Sequence, residues 1–293
     1  MKRISLLLTL WLSLALSLTA QQAAPVPSFI RDSIDSYVAK ALKAWDLPGV
    51  AVAVVKDGQV VLMEGYGYIE SGKPERVDEN TLFMIASNTK AFTGTSLALL
   101  EYEKKCSMDD KVQRWLPEFT MKDPWVAKEA SLADLVSHRL GMETFQGDFM
   151  YWTSDLSRSE VIQKMGQLTP AFAFRNKWGY TNAAFVAAGV CIEKISGQSW
   201  DSFIESRFLK PLNMNRTLTL SAQIAQATNV AKPHTYNAQN QLVSIPWCQI
   251  DNIAPCASLS SSASDMTHWL IAQLERGVYE GKQVIPAEVI DRT

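Results

Sequence analysis

Ser87 and Lys90 stand three residues apart in the run Ser87-Asn88-Thr89-Lys90. On a helix that spacing puts a hydroxyl and an amine on one face, with their Cβ atoms about 5–6 Å apart. A serine hydroxyl becomes a nucleophile when a neighbouring base takes its proton, and lysine serves as that base where burial or other cations lower its pKa. The chemistry of such a pair is acyl transfer, in which the serine attacks a carbonyl and carries the acyl group as an ester. Further along, Tyr180-Thr181-Asn182 supplies a phenol that can relay a proton and a carboxamide that offers a donor and an acceptor together. Alone, the Ser-x-x-Lys pattern is weak, since about one chance match is expected in a chain of this size. Its plain reading is a capped helix with a solvated lysine, and that of Tyr180 and Asn182 is a packed ring and a helix N-cap.

The elements that must position these groups are legible. The stretch Ser87 to Tyr102 lacks proline and carries Phe92, Leu97, Leu99 and Leu100 as apolar anchors, so a helix is expected to start near Ser87. A serine in its first turn meets unpaired N–H groups and the positive end of the helix dipole, which favour developing negative charge. Helical spacing from Ser28 to Trp45 predicts a helix. Gly49 to Val55 and Gln59 to Tyr68, joined by Lys56-Asp57-Gly58, predict a hairpin whose apolar strands call for helices on both faces. Ser131 with Asp134, Ser157 with Glu160, and Ser262 with Asp265 predict helix N-termini. Asn182 to Ile195 reads as an apolar helix closed by Gly197, and Trp200 to Phe208 as another, stopped by Pro211. From Lys232 to Pro255 the chain reads as loop with a short strand at Gln241 to Pro246, and the last capped helix runs to Arg276 with Gly277 as its stop. A helix and hairpin, a helical insertion and a return predict a mixed α/β layer carrying a helical subdomain.

With 47% hydrophobic and 20% charged residues over 293 positions, the chain can bury a core in one large or two intimately packed domains. A net charge of −2 without any long basic run argues against a nucleic-acid partner. Nine tryptophans suit either carbohydrate surfaces or core and rim packing, and packing is the commoner use. At the N-terminus Lys2 and Arg3 precede the apolar run Leu6 to Leu18, then Thr19-Ala20 and Gln21-Gln22. This predicts a signal peptide over residues 1–20 and export to the periplasm or beyond, with Ala23 and Ala24 as alternative cleavage points. The run is short for a membrane span and holds no cysteine for a lipid, so no stable membrane anchor is expected. Cys106 and Cys191 read as ordinary buried thiols, whereas Cys248 and Cys256 flank a proline-containing loop and could pair. His138, His234 and His268 are scattered, which gives no metal-ligand spacing and no cofactor. His138 reads as a structural residue bonding nearby backbone, and His268 as a surface or packing residue. Gly197-Gln198-Ser199-Trp200-Asp201 lacks the last glycine of a nucleophile elbow, and Glu64 and Glu70 form no carboxylate pair.

Taken in order, Phe83-Met84-Ile85-Ala86-Ser87-Asn88-Thr89-Lys90, Leu135-Val136-Ser137-His138-Arg139-Leu140-Gly141-Met142 and Tyr180-Thr181-Asn182 resemble the serine β-lactamase and penicillin-binding-protein superfamily, in its class C β-lactamase-like branch. Leu116-Pro117-Glu118-Phe119, Ile195-Ser196-Gly197, Pro211-Leu212-Asn213-Met214 and Ser260-Ser261-Ser262-Ala263-Ser264-Asp265-Met266 look like that family too, so the likeness runs from about Ser28 to Thr293. The resemblance implies a β-lactamase/transpeptidase-like fold, with an antiparallel sheet flanked by helices and an inserted helical subdomain. On that plan residues 26–80 and about 231–293 form the α/β part of one domain spanning 26–293, and residues 81–230 the helical part. It implies Ser87 as acylated nucleophile, Lys90 as its proton partner, Tyr180 as proton relay and Asn182 as the group that binds the substrate amide.

The family also carries a third motif, Lys or His, any residue, then Gly, on a strand that lends the second oxyanion-hole N–H. No such motif follows Met266, so the last strands are expected to be missing and the chain to be C-terminally truncated. Two functions follow from the sequence. One is an exported serine hydrolase forming an acyl-enzyme on a β-lactam, a D-amino-acid peptide or an ester. The other is a catalytically silent or truncated binder of peptidoglycan-like ligands. The sequence leaves the substrate and the oligomeric state open.

Overall fold

In the computed structural model, which describes residues 25–293, Asp57 and Gly58 take φ of 52° and 70° and close the expected hairpin as a two-residue turn of the left-handed kind. The signal-peptide segment lies outside the described residues. The hairpin strands are β1 (Gly49–Lys56) and β2 (Gln59–Gly67), paired from Gly49 opposite Gly67 to Lys56 opposite Gln59 with an irregularity between Val54 and Val55. The helix expected over Ser28 to Trp45 is two: α1 (Ser28–Asp32) and α2 (Ile34–Ala44). Ser33, at φ −137°, leaves the helical region between them.

Two further short ladders matter for the site. β3 (Phe83–Met84) pairs with β6 (Ser260–Ser261), Phe83 opposite Ser261, and β4 (His234–Tyr236) with β5 (Leu242–Ser244). β5 is the strand expected at Gln241 to Pro246, shortened, and its partner β4 has no alternating pattern to announce it. All ladders among the described residues are antiparallel and two-stranded.

The nucleophile region turns helical in two steps. A 3-10 turn at Ala86–Asn88 leads into α3 (Thr89–Tyr102), whose anchors Phe92, Leu97, Leu99 and Leu100 are all buried. Both expected capping boxes are formed, by Ser131 and Asp134 at the start of α4 (Leu132–Val136) and by Ser157 and Glu160 at the start of α5 (Arg158–Gln167). α6 (Asn182–Ser196) is buried over its first eight residues and at Cys191 and Ile192, and ends on Gly197 at φ 74°. α7 is shorter than expected, Trp200–Ile204, because the chain widens into a π-type turn over Glu205–Leu209. The short α8 (Ala254–Ala257) follows, and α9 (Ala263–Leu274), capped by the Ser262 hydroxyl accepting from the Asp265 N–H, packs on both β1 and β2.

One apolar core runs from α3 through α6 to α9. Phe92 lies at its centre, stacked on Trp269 at 4.0 Å between ring centroids and meeting Phe208 edge-on at 6.4 Å. α3, α6 and α8 interlock at close range, for a Cβ on Gly189 of α6 would lie 2.2 Å from Pro255 Cγ of α8. Trp200, fully buried, donates from Nε1 to Thr93 Oγ1 at 3.0 Å, and Thr93 donates in turn to the Pro255 carbonyl at 2.7 Å. These contacts fix α3 against α8, and with it the height of Lys90.

Candidate active site

Ala86 has φ 45°, a left-handed conformation that a non-glycine residue adopts only under constraint, at about 1–3 kcal/mol. The constraint comes from either side, where the Ile85 N–H donates to the Leu259 carbonyl at 2.9 Å and Thr89 Oγ1 accepts from the Leu259 N–H at 3.1 Å. The result is a turn that lifts Ser87 to the surface while Lys90, one turn on, is only 8% exposed.

Lys90 Nζ donates to Ser87 Oγ at 3.2 Å, to Asn182 Oδ1 at 2.7 Å and to the Cys256 carbonyl at 2.9 Å. Three acceptors match the three protons of an ammonium group, so the buried cation is fully satisfied. Its Nζ also lies 4.7 Å from the Tyr180 ring centroid and 5.4 Å from that of Phe185. The Tyr180 hydroxyl donates to Ser87 Oγ at 2.6 Å. Two groups able to exchange a proton with the serine therefore sit within hydrogen-bonding reach of one oxygen. The four residues expected at the site, Ser87, Lys90, Tyr180 and Asn182, are brought together.

Tyr180 is held from several sides. Its ring stacks on His138 at 4.5 Å and meets Phe145 edge-on at 5.3 Å. Its N–H donates to Thr144 Oγ1 at 3.2 Å, and its carbonyl accepts from the Phe145 N–H at 2.9 Å. The preceding Gly179 is needed because a Cβ there would lie 1.8 Å from the Met142 carbonyl oxygen. Phe145 and Trp178, both exposed, form an aromatic rim next to it, the Trp178 ring lying 6.1 Å from that of Tyr180.

Asn182 does not cap its helix as the sequence suggested. Thr181 holds the N-cap position, and the Asn182 amide instead bridges Lys90 and Asp148, donating from Nδ2 to Asp148 Oδ2 at 2.6 Å. Asp148, on the short turn Asp148–Met150, also accepts from the Tyr151 hydroxyl. Neither Asp148 nor the Cys256 carbonyl was legible as a site group: Asp148 is a lone acid in an aromatic loop, and a backbone carbonyl leaves no mark on residue type.

His138 is structural, as its sequence context suggested, but the backbone group it bonds is 43 residues away along the chain and not local. Its Nδ1 accepts from the Thr181 N–H at 3.0 Å, and its φ of 59° is left-handed. Burial, then repulsion from Lys90, lowers its pKa to about 4 from the ordinary 6.5. The folded protein therefore keeps the ring neutral while the unfolded chain protonates near 6.5, so this stability is full above pH 6.5 and is lost as pH falls through 4. Chemical denaturation at pH 7 and pH 4 is expected to show wild type losing about 2–3 kcal/mol more than His138→Asn, which tolerates the same φ.

Among the described residues no group of acidic, histidine and cysteine side chains is arranged to hold a metal. The four cysteines are unpaired: burial pushes the Cys256 thiol up to about 12 and the half-buried Cys106 thiol to about 11. His268 packs at 5.1 Å from the Tyr279 ring, with Nδ1 2.9 Å from the Leu212 carbonyl oxygen.

A family model described as Beta-lactamase matches residues 34–289. The chain belongs to the Beta-lactamase family. Among curated relatives, Protein flp of Staphylococcus aureus (strain COL) is 26% identical over 248 residues, covering 83% of this chain and 49% of that protein. Unguisins hydrolase ungD of Aspergillus violaceofuscus is 27% identical over 249 residues, covering 80% of this chain and 43% of its own length. The chain thus spans about half the length of the curated relatives it matches. Solved structures share the fold. The octameric penicillin-binding protein homologue from Pyrococcus abyssi superposes with a TM-score of 0.71 at 23% identity, over 88% of this chain and 58% of that one. D-alanine carboxypeptidase AmpC from Burkholderia cenocepacia superposes with a TM-score of 0.70 at 21% identity, over 90% and 68%. The mixed α/β reading and the Beta-lactamase family resemblance both hold.

Proposed function

We propose that this chain is an exported serine hydrolase that forms an acyl-enzyme through Ser87 on a β-lactam, a D-amino-acid peptide or an ester. The observation that carries the reading is the Ser87 oxygen, exposed to an incoming carbonyl and within 2.6 Å of the Tyr180 hydroxyl and 3.2 Å of Lys90 Nζ. Attack forms the C–O bond as the serine proton passes to Lys90 in its neutral amine form or to Tyr180 in its phenolate form. Collapse of the tetrahedral intermediate breaks the bond to the leaving group, which Tyr180 protonates, and water then hydrolyses the ester by the reverse route. The turn and α3 point the positive ends of their peptide dipoles at Ser87, which stabilises the oxyanion. The aromatic rim suits a substrate with an apolar acyl or leaving group.

Export rests on the charged and apolar N-terminal pattern, and among the described residues no helix is long and apolar enough to cross a membrane. The test is intact-mass measurement after incubation with a fluorescent penicillin and with a fluorophosphonate, beside Ser87→Ala. An adduct on wild type that is absent from Ser87→Ala supports the reading. Folded protein that takes up neither probe sinks it in favour of a ligand-binding member of the fold.

A further inference from the structure

We infer that Asp148 is a positioning residue for Lys90, acting through the side-chain amide of Asn182. The inference rests on the hydrolase reading of Ser87 and deepens it. A carboxamide has one accepting and one donating end, and its orientation is a 180° choice. Asp148 Oδ2 can only accept, so it takes Asn182 Nδ2, 2.6 Å away, and turns Oδ1 to face Lys90 Nζ at 2.7 Å. The flipped amide would set N–H against an ammonium and oxygen against a carboxylate, replacing two charge-assisted hydrogen bonds with two repulsions.

Asp148 is itself held from behind. Its Oδ1 accepts from the Tyr151 hydroxyl, on a side chain only 1% exposed, and the Tyr151 carbonyl accepts from Asn252 Nδ2 at 2.9 Å. Burial and then the bond to Asp148 push the Tyr151 phenol above its ordinary pKa, so it stays a donor. Both carboxylate oxygens are thereby engaged, which makes Asp148 a support for the site and not a binding group for a substrate ammonium. Gly147, at φ 83°, admits the turn: a Cβ there would lie 2.6 Å from Leu168 Cδ1. The outcome is a relay in which the Lys90 cation and the Asp148 anion are tied across one amide, and Lys90 keeps its aim at Ser87.

The test uses the purified chain and Asp148→Leu and Asp148→Asn, each alone and combined with Asn182→Ala. Two quantities are read: the rate of Ser87 labelling by a fluorophosphonate, and the side-chain amide proton signals of Asn182, assigned by their loss in Asn182→Ala. Asp148→Leu is expected to slow labelling about ten- to a hundredfold by freeing the amide. Asp148→Asn, which keeps an oxygen for Nδ2 and can donate to the Tyr151 oxygen, is expected to stay within about threefold of wild type. In the Asn182→Ala background, Asp148→Leu should change the rate by no more than about twofold. The wild-type Asn182 protons should be well separated and slow to exchange, and in Asp148→Leu should converge and exchange fast. Equal slowing by Asp148→Leu with and without Asn182, or unchanged Asn182 signals in Asp148→Leu, would overturn the inference. Failure of wild type to label at Ser87 defeats the hydrolase reading alone, and the amide signals then decide whether Asp148 holds Asn182.

Discussion

Ser87→Ala is expected to abolish covalent labelling and to cut turnover of any substrate by about 10⁴–10⁶-fold while leaving the fold intact. The size of the effect follows from the geometry. Ser87 Oγ is the atom on which the Lys90 and Tyr180 bonds converge, and no other hydroxyl of the site accepts from both. The small effect on stability follows from exposure. Ser87 fills no core, and water can replace its oxygen as partner to Tyr180 and Lys90, so a change within about 0.5 kcal/mol is expected. Intact mass after probe treatment and thermal melting of the same samples check both halves. An adduct persisting in Ser87→Ala would move the nucleophile elsewhere.

Lys90→Met is expected to slow acylation by about 10²–10⁴-fold and, unlike Ser87→Ala, to destabilise the protein. Methionine matches the lysine stem in length but donates nothing. Asn182 Oδ1 and the Cys256 carbonyl then face a thioether in a buried site, and each orphaned acceptor costs about 1–3 kcal/mol. Arginine would not rescue it. A planar five-donor fork cannot reproduce a compact group that meets three acceptors from three directions. Stopped labelling kinetics with chemical denaturation measures both consequences. A Lys90→Met protein that labels at the wild-type rate would remove lysine from the mechanism and leave Tyr180 as the sole proton partner.

What could be read from the sequence was what is decided locally. The capping boxes at Ser131 and Ser157, the Asp57-Gly58 turn and the Gly197 stop depend on neighbours within a few residues, and they form as expected. The pairing of Ser87 with Lys90 is local in the same way, being one helical turn. Tyr180 and Asn182 entered through family likeness, since nothing in a Tyr-x-Asn triplet says which distant serine it will face. Long-range contacts supplied the rest. Ala86 takes a left-handed φ because Leu259 grips the chain on both sides of it, and Ala86 itself gives no sign of this. Asn182 reads as a cap from its place before an apolar helix, yet two charged partners outbid the backbone for its amide. The break at Ser33 and the partner strand His234–Tyr236 were hidden for a humbler reason, for neither alters the apolar periodicity around it.

The three acceptors of Lys90 lie 3, 92 and 166 residues from it along the chain. A site assembled from such distant pieces cannot form in any fragment that lacks one of them. Nor can it form early in folding, because the long loops must close before the contacts can repay their entropy. Serine-directed labelling of this protein therefore counts native molecules, and a partly folded population would be silent and not merely slow.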